Sequence, residues 1–220
     1  APAPASAAAI TLGAVAGYYL KAVEYNQADI ESLNDIGNLY YFMPDYDNAM
    51  IYYEKVLAID PGYKYALVNK ANVYDMTGQT EKAIEYYYFA TLADDLYISA
   101  HQFLGQMYFK QMEYEKSAKC FDKVISLYPA YIWSYYYLGY VYYNQGEYEK
   151  AVPYFIKTIE LDSMVADAWY QVGNQYHYLA KYSDAQKYFL KSIELDPGNY
   201  YNYTGLGYNY LRLGKYDESK

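Results

Sequence analysis

"AWYQVGNQYHYLAKYSDAQKYFLKSIELDPGN", residues 168–199, contains two segments of roughly fourteen residues whose apolar positions recur at helical spacing. Trp169, Val172, Gly173 and Tyr176 fall three or four residues apart in the first segment, and Ala185 and Phe189 do the same in the second. Pro197 has no amide hydrogen with which to continue a helix, so it marks the end of the second. Gly173 and Ala185 leave room for two antiparallel helices to approach closely, and Phe189 fills the space beside them. Such a helix pair cannot bury its apolar face alone; it needs neighbours stacked on either side.

Those neighbours are present. Self-similarity at a period of 34 runs without insertion from Ile30 to the end of the chain. Repeats span 30–63, 64–97, 98–131, 132–165 and 166–199, followed by an incomplete one at 200–220. One column reads Gly37, Ala71, Gly105, Gly139, Gly173, Gly207, and three residues on stand Tyr40, Tyr74, Tyr108, Tyr142, Tyr176, Tyr210. A third reads Ala49, Ala83, Ser117, Ala151, Ala185, Ser219, and four further on come Tyr53, Tyr87, Phe121, Phe155, Phe189. Short turns such as "NQGEY" (144–148) separate the two helices of a repeat. Pro61, Asp95, Pro129, Ser163 and Pro197 close successive repeats.

Composition narrows the function. Hydrophobic residues are 54% of the 220, enough for a continuous core, yet mean hydropathy is −0.32. The 38 tyrosines reconcile the two values, because each has an apolar ring and a polar tip. Net charge is −9 and the lysines are scattered, with Arg212 the one arginine. A nucleic-acid surface needs clustered cations to release counterions, so no nucleic-acid partner is expected. Cys120 is the sole cysteine, which excludes an intrachain disulfide and multi-cysteine metal sites. The two histidines, His101 and His177, lie far apart. With no HExxH, P-loop, dinucleotide GxGxxG or GxSxG pattern, neither catalysis nor a cofactor nor a metal is expected. Ala9–Leu20 is an apolar run of twelve, shorter than a membrane span. The Ala/Pro-rich opening has neither an initiator Met nor a basic leader. It suits the mature end of an exported protein, which favours an extracellular or cell-surface location.

Over about residues 18–220 the chain resembles tetratricopeptide repeat proteins, whose W-x2-[LV]-G-x2-Y, A-x3-F and P signature stands at Trp169–Tyr176, Ala185–Phe189 and Pro197. The resemblance implies an all-α fold, a right-handed superhelical solenoid of antiparallel helix pairs. It departs from the family pattern at Lys70, where an apolar residue is usual, and at Leu67 and His101, where a large aromatic is usual. Asp95 and Ser163 depart too, standing in for proline. Relatives bind extended peptides on the inward face of each first helix. That face carries Asn38 and Asn72, then Gln106, then Tyr136, Tyr140 and Tyr143, then Tyr170, Asn174 and His177, and last Thr204, Tyr208 and Leu211. The paired lysines and arginine of a carboxylate clamp have no counterpart, so that ligand mode is rejected. Amides beside tyrosines suit an extended peptide backbone or a stacked sugar ring. The plain alternative is that asparagine is simply common there. Cys120 reads as inert packing, and the sequon "NYT" (202–204) as a chance match within a helix.

The ends depart from the pattern. Pro2 and Pro4 would break a helix, so residues 1–16 read as an irregular arm. From residue 17 the phase returns, and 17–29 is a half repeat equivalent to a second helix, with Tyr19 in the Tyr53 column and Val23 in the Leu57 column. Placing one copy's beginning against another's end completes a repeat, with Tyr18, Tyr19, Val23, Tyr203, Leu206 and Tyr210 as candidate contacts. Two functions therefore compete. One is a structural scaffold that self-assembles head to tail into a filament or fibril; the other is an adaptor holding a peptide or glycan in its groove, as part of a larger protein. A third, ranked lower, is the targeting half of an enzyme.

Overall fold

The structure, a computed structural model, describes the backbone of residues 7–214 and the side chains of Val15 and residues 17–214. Residues 1–6 of the expected arm, and Tyr216, Ser219 and Lys220 of the last repeat, lie outside the described residues. These hold twelve α-helices and no strand. The fold divides into two compact halves between Met107 and Tyr108. The first holds α1 (Ala7–Tyr25), α2 (Ile30–Phe42), α3 (Tyr46–Ile59), α4 (Lys64–Met76), α5 (Thr80–Ala93) and most of α6 (Ile98–Lys110). The second holds α7 (Tyr114–Leu127), α8 (Ile132–Asn144), α9 (Tyr148–Leu161), α10 (Ala166–Tyr178), α11 (Tyr182–Leu195) and α12 (Tyr200–Leu213).

The small column sets how closely paired helices approach. A Cβ added to Gly37 would stand 2.5 Å from Cε1 of Tyr53, and one on Gly139 would stand 2.7 Å from Cε1 of Phe155. On Gly173 it would meet Cδ1 of Phe189 at 3.0 Å. Tyr53, Tyr87, Phe121, Phe155 and Phe189 are all at most 1% exposed. In the first half, Leu33, Ala49, Tyr53, Val56, Ala66 and Val73 form one cluster spanning α2, α3 and α4. In the second, Ala151, Phe155 and Val172 join α9 to α10, and Ala185, Phe189, Leu206 and Tyr210 join α11 to α12.

Turns within a repeat share one hydrogen bond. The amides of Asp45, Gln79, Glu113, Glu147 and Lys181 donate to the carbonyls of Tyr40, Tyr74, Tyr108, Tyr142 and Tyr176 at 2.8–2.9 Å. This is the six-to-one closure of a Schellman motif, which needs a left-handed residue just before the donor. Gly78, Gly146 and Gly214 take that conformation with φ of 74–76°. Met112 and Ala180 take it at φ 59° and 57°.

Turns between repeats explain the departures at His101, Asp95 and Ser163. Trp169 Nε1 donates to the Ser163 carbonyl at 2.9 Å, and the hydroxyls of Tyr135 and Tyr203 donate to the Pro129 and Pro197 carbonyls at 2.9 and 3.1 Å. His101 Nε2 lies 3.0 Å from the Asp95 carbonyl in the same place. Histidine thus does the work of the large aromatic, and only the carbonyl of the closing residue is needed, so Asp95 and Ser163 can replace proline. Lys70, 6% exposed, puts its ammonium 2.9 Å from Glu54 and 4.7 Å from the centre of the Tyr86 ring. A buried charge is tolerated when paired in this way.

One element differs from expectation. Helix α1 starts at Ala7, so residues 7–16, assigned from sequence to an irregular arm, are helical. The alanine-rich stretch has high helix propensity.

The turn column yields a stability test. A left-handed conformation costs a non-glycine residue about 1–2 kcal/mol, offset by about 0.4–1 kcal/mol for glycine's freer unfolded chain. Ala180→Gly and Met112→Gly should each raise the thermal midpoint. Gly146→Ala should lower it. Melting by circular dichroism reads all three, and a lower midpoint for Ala180→Gly would contradict the turn geometry.

Candidate binding groove

In the first half, the inward-facing amides are engaged by the core. Tyr53 and Tyr87 donate their hydroxyls to Asn38 Oδ1 at 2.9 Å and Asn72 Oδ1 at 2.5 Å. Asn69 Nδ2 donates to Asn34 Oδ1 at 3.0 Å and to Asn38 Oδ1 at 2.8 Å. Burial raises the pKa of both tyrosines well above the ordinary phenol value, and nearby Tyr41 adds to the effect at each. Where the core ring is phenylalanine no hydroxyl is present, and the residue fifteen positions earlier is Gln106, Tyr140 or Asn174. Gln106 sits half-buried on α6. Asn38 and Asn72 thus have a structural task that accounts for them.

In the second half the tyrosines divide. Tyr136 and Tyr140 donate to Asp167 Oδ2 at 2.7 and 2.8 Å, and Gln171 Nε2 donates to the Tyr140 hydroxyl at 2.6 Å. Burial, then the Asp167 charge, raises both tyrosine pKa values. This cluster ties α8 to α10.

Tyr143, Tyr170 and Asn174, by contrast, line an open groove of about 630 Å³ with His177, Tyr208 and Arg212. Tyr178, Phe189, Thr204, Gly205 and Leu211 complete its wall. Gly205 opens it: a Cβ there would stand 2.7 Å from Phe189 and 2.9 Å from Tyr170. His177 Nδ1 lies 3.2 Å from Asn209 Oδ1, and Asn209 Nδ2 donates to the Tyr182 carbonyl at 2.8 Å. An amide, and no carboxylate, therefore orients this histidine. Tyr208 is 62% exposed.

Asp167, Gln171, Tyr178 and Arg212 escape the reading of the sequence. Asp167 is legible only as an acidic residue in the column of Glu31, Tyr65, Ser99, Trp133 and Tyr201, opposite two tyrosines of the preceding repeat. Among the described residues no cluster of three or more His, Cys, Asp or Glu side chains is placed to hold a metal, and no helix is long and apolar enough to cross a membrane. Cys120 is buried, which pushes its thiol up to about 12.

The candidate self-assembly residues lie at the two ends. Tyr18 is exposed at 77%, while Tyr19 is half-buried with its phenol pKa raised by the adjacent Asp35 carboxylate. Val23 packs on the Leu33–Tyr53–Val56 cluster. Tyr203 is largely exposed but bonded to Pro197, and Leu206 and Tyr210 are buried against Ala185 and Phe189 within their own chain. Leu206 and Tyr210 are therefore core residues.

Models of the tetratricopeptide repeat match residues 30–63, 52–85, 132–164, 166–199 and 188–220, and a further TPR repeat model matches 105–146. The chain belongs to the tetratricopeptide repeat family. The crystal structure of MamA is 30% identical and superposes with a TM-score of 0.70 over 74% of this chain and 95% of that one. YrrB, a TPR protein with an unusual peptide-binding site, shares the fold at 22% identity and a TM-score of 0.75, over 85% of this chain and 96% of its own. The heat-shock protein cognate co-chaperone sgt12 of Aspergillus fumigatus is 32% identical over 95 residues, 43% of this chain; that match spans 28% of the co-chaperone's length.

The raised tyrosine pKa values carry a pH dependence. Tyr53, Tyr87, Tyr136 and Tyr140 ionise more reluctantly folded than unfolded, so the folded state holds more protons above the ordinary phenol pKa of about 10. Their contribution is complete below that pH and is lost as pH rises above it. Alkaline titration should show the tyrosinate absorbance of these residues appearing together with the loss of helical circular dichroism. Full phenol ionisation with helices intact would contradict their burial.

Proposed function

We propose that this tetratricopeptide repeat protein is a non-catalytic scaffold whose second half holds an extended peptide. The observation that carries this reading is the open groove of Tyr143, Tyr170, Asn174, His177, Tyr208 and Arg212. Aromatic faces give contact area at low entropic cost, and Asn174 offers both a donor and an acceptor to a peptide backbone. The peptide-binding site of YrrB illustrates what this architecture can hold. A glycan stacking on the same rings is the competing ligand. A peptide library and a glycan array, each screened on the intact chain, separate the two.

Tyr170→Ala and Asn174→Ala should each weaken binding of the selected peptide, while Asn38→Leu should leave it unchanged. Because Arg212 is the one arginine or lysine among the described residues of the groove wall, affinity should fall only shallowly with salt. Calorimetry against salt concentration tests this, and a steep dependence or full affinity in the Tyr170→Ala/Asn174→Ala double variant would overturn the groove reading.

A second reading, head-to-tail self-assembly into a filament, draws support from the exposed faces of α1 and α12. On α1, Tyr18 is 77% exposed. On α12, Tyr200, Tyr208 and Leu211 are 64%, 62% and 45% exposed. In this arrangement α1 of one copy packs on α12 of the next as a second helix packs on a first. The contact is heterologous, so it propagates as an open helix unless the rotation closes a ring. Burying these side chains at about 1.5–3 kcal/mol each is comparable with an association cost of about 4–15 kcal/mol. Sedimentation and electron microscopy should show concentration-dependent assembly that Tyr18→Lys abolishes, with the helical signal intact. A monomer at high concentration would remove this reading.

A further inference from the structure

We propose that Tyr148 and Tyr178 form an oxidative cross-linking site, in which a peroxide-driven one-electron oxidant joins the two phenols. Their rings stack with centroids 4.7 Å apart and planes 13° from parallel. Tyr148 opens α9, in the repeat 132–165, and Tyr178 ends α10, in the next one. Other tyrosine pairs that meet across two repeats are wider and less parallel: Tyr143 with Tyr178 at 6.2 Å and 36°, and Tyr63 with Tyr65 at 5.4 Å, edge to face. Access also favours this pair: Tyr178 is 50% exposed and Tyr148 half-buried, so both can meet an oxidant at the surface. By contrast, Tyr136 and Tyr140 are mostly buried and hold their hydroxyls against Asp167.

The chemistry balances without any group from the protein beyond the two rings. Each phenol loses one electron and one proton to give a phenoxyl radical, whose unpaired spin is shared with the carbons ortho to oxygen. Two such carbons couple, and each ring then moves its ortho hydrogen to oxygen, restoring both phenols. The pair loses two hydrogens in all, and one hydrogen peroxide is reduced to two waters. Exposed side chains reorient in picoseconds to nanoseconds, fast enough for stacked rings to slide into the edge-joined geometry. The bond would staple neighbouring repeats and fix one wall of the groove, since Tyr178 and the adjacent Tyr143 both line it.

The test treats the intact chain with hydrogen peroxide and a haem peroxidase at low protein concentration. Trypsin places Tyr148 and Tyr178 on different peptides, 124–150 and 158–181. The expected product is those peptides joined within one chain, two hydrogens lighter than their sum, with dityrosine fluorescence and a raised thermal midpoint. Tyr148→Phe and Tyr178→Phe keep the ring and the fold but should each abolish the joined product. Tyr143→Phe and Tyr25→Phe should leave it, although Tyr25 is 93% exposed. Coupling that survives Tyr178→Phe, that maps to Tyr143, or that forms only between chains overturns the proposal.

Discussion

A glycine facing an aromatic ring sets the distance between the two helices of a repeat, and much of the molecule's chemistry follows from that contact. With no side chain at Gly37 or Gly139, the ring of Tyr53 or Phe155 lies directly on helical backbone. Its far edge then reaches toward the inward face of the first helix. Whether that edge carries a hydroxyl decides what the inward face must supply. Tyr53 and Tyr87 are buried and need an acceptor, because an unpaired buried hydroxyl costs about 1–3 kcal/mol. Asn38 and Asn72 provide it. Phenylalanine makes no such demand, and in those repeats the inward position is released for other uses. Tyr140 spends that freedom on Asp167, and Asn174 spends it on the groove. Core composition thereby determines where the surface is free to bind.

The turns impose a second, independent constraint. Each Schellman closure uses the backbone carbonyl of the aromatic column Tyr40 to Tyr176, so those tyrosines hold the turn through main chain while their rings pack. Tyr40 stacks on Tyr52 and Tyr142 on Tyr154, with centroids 5.6 and 5.3 Å apart. Lysines from the following turns sit over several of these rings, Lys82 over Tyr74 and Lys116 over Tyr108 among them. Such contacts contribute about 0.5–1 kcal/mol at exposed sites. Their worth lies in keeping a polar cation beside a tyrosine-rich surface.

The repeat and its phase are legible in the sequence because a 34-residue period repeats the same physical demands at every turn. Small residues, aromatics and turn closers each recur in a fixed column. The groove was legible only in part. Tyr143, Tyr170 and Asn174 could be placed on the inward face, but a column position cannot tell which polar tips are already occupied. Asn38 and Asn72 looked like ligand contacts until the hydroxyls of Tyr53 and Tyr87 were placed on them. The signal was present fifteen residues away, in the change from tyrosine to phenylalanine, yet it has meaning only once the ring is known to point that way. Asp167 was hidden for a related reason. Its partners lie in the preceding repeat, and a lone acidic residue near a helix start ordinarily reads as a favourable charge at the positive end of the helix. Val23, Leu206 and Tyr210 were read as contacts between copies from their columns alone, and packing within the chain buries Leu206 and Tyr210.

Tyrosine suits such an array because one residue type can meet three requirements. Its ring fills a core as phenylalanine does, and a core built this way still leaves mean hydropathy negative. Its hydroxyl must then be given a partner, and the partners differ by location. Turn carbonyls serve Tyr135 and Tyr203, amides serve Tyr53 and Tyr87, and a carboxylate serves Tyr136 and Tyr140. Every one of these pairings fixes a ring between two segments and rigidifies it. Moving along the second half, from the Asp167 cluster to Tyr170 and Tyr208, rings pass from being held by the fold to facing an open groove. An aromatic face whose backbone is already rigid loses little entropy on binding. The same residue type that stabilises the interior is therefore, a repeat later, a rigidly held ring facing an open groove, and the difference between the two is set by what lies within reach of its hydroxyl.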